Sequence, residues 1–246
     1  MRLLYDNVFD LATLTPLTEN PGYPVENMQD SRLCRIYKST DDAAQTVVCN
    51  MGAAVDVNCC VFSNHNFTTA AIIKIQGSSE DAWGGPPVDE TLAYNAGNIK
   101  KYFTGGSYQY WRLYVDDDTN PDTYIKAGRV FIGEYYEMPG QASGISVPVV
   151  TTSKKYTSKS GQIYGDLNYQ YKRAELRIPK VTDAQREEMI SIFETIDNSI
   201  PVYLDFFVDS DNTRENILYC TIDNTEFAYH QVSTFWTLNL TFSEAF

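Results

Sequence analysis

Apolar and polar positions alternate in short runs through the first half of the chain. TVVCNMG (46–52), VDVNCCVFS (55–63) and AAIIKIQGS (70–78) are rich in Val, Ile and Ala and are closed by Gly, Asn or Ser. Runs of this length and punctuation predict the strands of an all-β sandwich. Two further strands are predicted over 108–115, where Trp111 and Leu113 share a face, and over 128–132. Between them, Asp-Asp-Asp-Thr-Asn-Pro-Asp (116–122) has the residues of a polar turn. The stretch 78–97, with Trp83-Gly-Gly-Pro-Pro87 inside it, reads as a long loop.

The pattern changes after Gly133. Residues 139–161 are rich in Gly, Ser, Thr, Val and Lys without a helical period, and read as an extended connector with some strand pairing. RAELRIP (173–179) then alternates cleanly. A helix is predicted over about 182–197: Thr182 can cap it, and Gln185 three residues later completes a capping box. Met189, Ile192, Phe193 and Ile196 recur at i, i+3, i+4 and i+7 and give it one apolar face. Asn198 and Pro201 end it. Strands are predicted from Val202, from Ile217 and over FWTLNLTF (235–242). The last sets Trp236, Leu238, Leu240 and Phe242 against Thr237, Asn239 and Thr241. The chain is therefore mainly β: a sandwich over 1–138, a connector over 139–161 and an α+β domain with one helix over 162–246.

Composition narrows the function. Hydrophobic residues make up 43% of the chain, enough for a core, and the 18 Tyr and 12 Phe favour pleated surfaces. A net charge of −13 disfavours nucleic-acid reading and adhesion to anionic membranes. The five cysteines are odd in number and show no C-x-x-C pair, so they read as small buried hydrophobes of a protein made in a reducing cytoplasm. Asp6 and Asp10 interrupt any signal-peptide core, and no apolar run approaches a membrane span.

Few residues suggest chemistry. His65 and His230 are isolated in sequence, whereas a catalytic base needs an oriented partner and a nucleophile. Asp116–Asp118 with Asp122 could offer oxygens to Ca²⁺, but they lack the EF-hand order, and turn chemistry explains the segment without a metal. Glu187, Glu188 and Glu194 fall on the polar side of the predicted helix and read as solubilising charge. GRVFIG (128–133) lacks the Lys-Ser/Thr and the following helix of a phosphate loop. No enzyme activity and no cofactor are expected. Trp83 is the best candidate for a ligand contact, although simple packing is the first reading of it.

TENPGYPVENMQD (18–30) resembles the opening of discoidin, or coagulation-factor 5/8 C-type, domains. QTVVCNMGAAVDVNCCVFSNHNF (45–67), YQYWRLYVDD (108–117) and YIKAGRVFIG (124–133) resemble later strands of that family in the same order. Ser31 replaces the Gly that usually follows the Asp, and Tyr37 stands near the usual Trp position. The resemblance implies a jelly-roll, galactose-binding-like sandwich. It also implies sugar contact through rim-loop aromatics and an Arg in sugar-binding members, and a Ca²⁺ near Asn27 and Asp30.

ENPGYPVENMQDSRL together with TNPDTYIKAGRVFIGEYY is similar to minor tail proteins of long-tailed bacteriophages. The stretch from SKSGQIYG (158–165) to FWTLNLTFSEAF (235–246) is similar to those and to the ring-forming domains of distal tail proteins. This resemblance implies a structural component of the virion's tail tip or baseplate, synthesised in the host bacterial cytoplasm. Such a protein would form a homo-oligomeric ring, a hexamer or trimer, contacting tail-tube and tail-tip or hub proteins. The alternative is a carbohydrate-binding module that takes a host-surface glycan. Charge is also segregated: 154–180 carries seven basic and two acidic residues, and 181–226 carries eleven acidic and two basic. Lys172, Arg173 and Arg177 against Glu187, Glu188 and Glu194 are accordingly the expected contacts between subunits, with neutralisation of the two patches inside one subunit as the alternative.

Overall fold

The computed structural model describes residues 1–139, 144–206, 208, 217–230 and 234–246. The chain divides into two compact units, one of Met1–Glu137 with Tyr203–Leu218 and Phe246, the other of Met138–Val202 with Tyr219–Ala245.

The first unit contains β1 (Arg2–Leu4), β2 (Thr13–Pro16), β3 (Tyr37–Lys38), β4 (Gln45–Phe62), β5 (Ile72–Ser78), β6 (Val88–Leu92), β7 (Ile99–Asp116), β8 (Lys126–Ala127), β9 (Val130–Gly133) and β10 (Tyr136–Glu137). Its main sheet is antiparallel in the order β2-β4-β7-β5-β6. The two predicted runs at 46–52 and 55–63 are one 18-residue strand, β4. β4 and β7 pair along their whole lengths, with register shifts between Asn50 and Val55 and between Val57 and Cys59. Bulges of this kind bend a strand and let it pass from one sheet layer to another. Beyond the bulges, Cys59–Phe62 pair with β9, so the far end of β4 runs between β7 and β9.

Alternation puts Val47, Cys49, Ile73, Ile75, Trp111, Leu113 and Val115 on the buried side, where they join Val25, Met28, Tyr37, Phe62 and Ile125 in one core. Burying each large side chain contributes roughly 1.5–3 kcal/mol. Gly77 is required beside Trp111, because a Cβ there would lie 2.8 Å from the indole ring. The predicted loop 78–97 contains β6, whose VDETL hides only Val88 and Leu92 and so shows no apolar run. Residues 99–107, also unassigned from sequence, form the first half of β7.

The second unit contains β11 (Gly144–Ser146), β12 (Val149–Thr151), β13 (Lys154–Thr157), β14 (Ile163–Asp166), β15 (Gln170–Val181) and α1 (Asp183–Ile196); β16 (Val202–Asp205), β17 (Ile217–His230) and β18 (Phe235–Glu244) follow. β17 pairs with β18 and β18 with β15, all antiparallel, while β11 and β12 pair with successive parts of β15. About half of the described residues of the connector expected at 139–161 lie in strands, and 140–143 lie outside the described residues. Thr182 and Gln185 form the expected capping box, and Met189, Ile192 and Ile196 are buried. Leu238, Leu240 and Phe242 of β18 are buried on the face predicted for them.

The unit boundary differs from the sequence expectation at 203–218. β16 pairs with β1 through Arg2↔Asp205, Leu3↔Leu204 and Leu4↔Tyr203, which gives those residues to the first unit. The predicted strand from Val202 ends at Asp205, and Phe207 and residues 209–216 lie outside the described residues.

Candidate functional site

β5, β6 and β7 turn polar side chains away from the core of the main sheet, Gln76 among them covered by its neighbours. Register sets Gln76 beside Arg112 and Asp89, and Lys74 beside Tyr114. The loop from β5 to β6 brings Trp83 over this surface. The Arg112 guanidinium lies 4.4 Å from the centroid of the Trp83 ring. Trp83 Nε1 donates to Asp81 Oδ1 at 2.8 Å, which holds the indole by its N–H edge. Arg112 Nε donates to Gln76 Oε1 at 2.7 Å, Gln76 Nε2 to Asp89 Oδ1 at 3.0 Å, and Lys74 Nζ to Asp89 Oδ2 at 3.1 Å. Partial burial lowers the pKa of Arg112 from the usual guanidinium value, with Asp89 opposing that shift. The result is a partly exposed aromatic ring held beside a file of planar and charged hydrogen-bonding groups.

Trp83 was legible in sequence as a candidate, but its partners were not named. Their signal is the alternation in YQYWRLY, which turns Tyr110, Arg112 and Tyr114 outward as Trp111 and Leu113 turn inward.

The other candidates have structural surroundings. Asn27 lies in a short 3-10 helix and donates from Nδ2 to Ile36 O at 2.8 Å. Asp30 follows that helix and receives Arg32 Nε at 2.9 Å, a bond that holds its pKa at about 2. Among the described residues, no three His, Cys, Asp or Glu side chains gather in a metal-binding group. Asp117 is buried in the turn and accepts from Thr68 N and Asn120 Nδ2, each at 2.9 Å. His65 bonds Gly97 O through Nε2 at 2.8 Å and receives Phe67 N at Nδ1 at 3.1 Å. His230 Nε2 lies 2.8 Å from Thr237 Oγ1. Cys49, Cys59, Cys60 and Cys220 are buried, and Cys34 is exposed. No described helix is long and apolar enough to cross a membrane.

In the second unit the charged candidates separate. Arg173 and Arg177 flank Glu175 on one face of β15, while Lys172 has the parity of the buried Ala174, Leu176 and Ile178. α1 packs on that buried side: Trp236 Nε1 donates to Asp183 Oδ1 at 2.7 Å, and Arg186 lies 4.4 Å from the Trp236 ring centroid. Glu187, Glu188 and Glu194 are exposed on the helix, on the opposite side of the sheet from Arg173 and Arg177.

No family model matches the chain, and no curated protein matches it. Solved structures similar to it include carbohydrate-binding modules. Chitosan-binding module 1 from a chitosanase/glucanase of Paenibacillus sp. IK-5 matches 53% of this chain and 100% of its own, at 18% identity and a TM-score of 0.43. The family 32 carbohydrate-binding module of C. perfringens NanJ, solved with galactose, matches over 55% and 100%, at 12% identity and a TM-score of 0.43. The lectin domain of lectinolysin, solved with Lewis B antigen, matches over 52% and 95%, at 9% identity and a TM-score of 0.44.

Proposed function

We propose that the first unit is a non-catalytic carbohydrate-binding module that takes a surface glycan at the Trp83–Arg112 face. The observation that carries this reading is the fixed indole, clamped by Asp81 at its edge and by Arg112 on its ring, with Gln76, Asp89 and Lys74 in file beside it. A sugar offers an apolar C–H face to an aromatic ring and a rim of hydroxyls to amide, carboxylate and guanidinium groups. A held ring and held polar groups meet both without losing rotamer freedom on binding. A glycan array followed by calorimetry tests the reading. Binding of one sugar class is expected, with Trp83→Ala and Arg112→Ala each weakening it about tenfold or more, or about 1.4 kcal/mol. Binding to no sugar, or binding untouched by both substitutions, overturns it.

A second reading, compatible with the first, concerns the other unit: it serves assembly in a phage tail tip or baseplate, as an oligomeric ring or adaptor touching tube and hub proteins. The placement of Arg173 and Arg177 on one side of the sheet and of Glu187, Glu188 and Glu194 on the other supports it, because a head-to-tail contact brings two different faces of one protein together. Immunogold labelling of virions tests the location, and absence of label from the tail tip overturns it.

A further inference from the structure

β13 and β14 form a hairpin that stands outside the other sheets, joined through Lys154↔Asp166, Lys155↔Gly165, Tyr156↔Tyr164 and Thr157↔Ile163. Its turn is well made: Ser158 N donates to Gln162 O at 2.8 Å, Gly161 N to Ser158 O at 2.9 Å, and Gly161 takes a φ of +83°. Every residue of both strands is exposed. Tyr156, Tyr164 and Ile163 are 51%, 57% and 70% exposed, and Leu167 just beyond is 96% exposed. A lone two-stranded hairpin is at best marginally stable in water. Apolar residues gathered on such an element mark an interaction surface.

Charge identifies the partner. The hairpin and its turn carry exposed Lys154, Lys155 and Lys159 in a chain of net charge −13. The solvent face of α1 offers Glu187 and Glu194. Near the first turn of α1 lie aromatics of its own: Trp236 donates from Nε1 to Asp183 Oδ1, and its ring lies 4.8 Å from that of Tyr229 between centroids, tilted by 50°. Tyr229, paired across from Trp236, is 49% exposed. One surface is basic with aromatics and the other acidic with aromatics, and both belong to the same unit.

We infer that the β13–β14 hairpin is an arm that docks on the α1 face of a second copy of this chain. Two different patches of one protein meet, so the contact is head-to-tail and can be repeated from copy to copy. The aromatic and aliphatic side chains supply burial, and the lysines and glutamates set register. The inference rests on the assembly reading of the second unit and is independent of glycan binding.

The experiment measures mass in solution for the full chain by sedimentation, over a range of concentrations and at about 0.1 M and about 1 M salt, where the Debye length falls from about 10 Å to about 3 Å. Self-association is expected, and it should weaken several-fold at high salt. K154E/K155E and E187K/E194K should each weaken it about tenfold or more while keeping the unfolding midpoint. Mixed, the two variants should form a one-to-one complex, because the reversed arm of one meets the reversed helix of the other. A monomeric full chain at every concentration and salt overturns both the inference and the homo-oligomer behind it. Self-association that survives both substitutions, or a mixture that forms no complex, overturns the inference and leaves the assembly reading standing.

Discussion

Lys100 and Asp205, 105 residues apart in sequence, form a buried ion pair in which Lys100 Nζ donates to Asp205 Oδ2 at 2.6 Å. Tyr102 OH donates to the same oxygen at 2.7 Å, and Asp205 is fully buried. This cluster joins β7 to the returning strand β16, so residues late in the sequence complete the first unit. Removing one partner leaves the other charge in a low-dielectric site. Asp205→Ala is therefore expected to cost about 3–5 kcal/mol. The double replacement Lys100→Met with Asp205→Leu should cost less than Asp205→Ala alone, because it removes both buried charges. Urea unfolding of the three proteins checks this, and a double variant less stable than the single one would contradict the account.

Gly77 leaves the space that Trp111 fills. A Cβ at 77 would lie 2.8 and 2.9 Å from ring carbons of a fully buried indole. Gly77→Ala is expected to destabilise by about 1–3 kcal/mol through overpacking, and Trp111→Ala by about 3–5 kcal/mol through the cavity it leaves. Thermal unfolding reads both, and near-ultraviolet dichroism should change in Gly77→Ala as the indole shifts. An unchanged spectrum and midpoint in Gly77→Ala would show that the ring is not held there.

His65 predicts a pH dependence. Burial lowers its pKa from 6.5, against the opposing effect of the Gly97 carbonyl. Phe67 N–H donates to Nδ1, so a proton placed there would also remove that bond. With the folded pKa below the unfolded one, the unfolded chain takes up the proton first. Stability is thus fully present above about pH 6.5 and is lost as pH falls from there through the folded value. Unfolding measured between about pH 7 and pH 5 should show this slope in the natural protein, and His65→Gln should flatten it. Equal slopes in the two proteins would remove His65 as the cause.

Asp117 organises its turn by hydrogen bonds from Thr68 and Asn120, with its own N–H donating to Asp42 O at 3.2 Å. Bonds to a buried carboxylate contribute about 1.5–3 kcal/mol each. Asp117→Ala should lower stability by at least about 2 kcal/mol. Adding Ca²⁺ or a chelator to the natural protein should leave its midpoint in place. A midpoint that rises with Ca²⁺ would instead make this turn a metal site.

The elements that were legible in sequence carry their signal locally. The capping box of Thr182 and Gln185 and the spacing of Met189, Ile192 and Ile196 define α1, because a helix closes its hydrogen bonds within a few residues. The alternation in FWTLNLTF defines the buried side of β18 for the same local reason. β6 was missed because an outer strand can be mostly polar when one side faces water. The break placed between 52 and 55 was a bulge within β4, since turn residues also occur where a strand bends. Trp83 could be picked out as an unusual loop residue, whereas its clamp depends on Arg112, 29 positions later, and on the register of three strands.

By itself the sequence determined that the chain is mainly β, that one helix follows Thr182, and that acidic and basic residues occupy different stretches. Those properties depend on side-chain periodicity, capping and charge, all readable within a few neighbouring residues. Only the tertiary structure decided that Asp205 returns to Lys100 and that Arg112 lies on Trp83. It alone set Arg173 and Arg177 across the sheet from α1 and left the β13–β14 hairpin bare. Each of these depends on pairings between distant segments, and strand register is fixed by the burial of whole sheet faces rather than by any one residue.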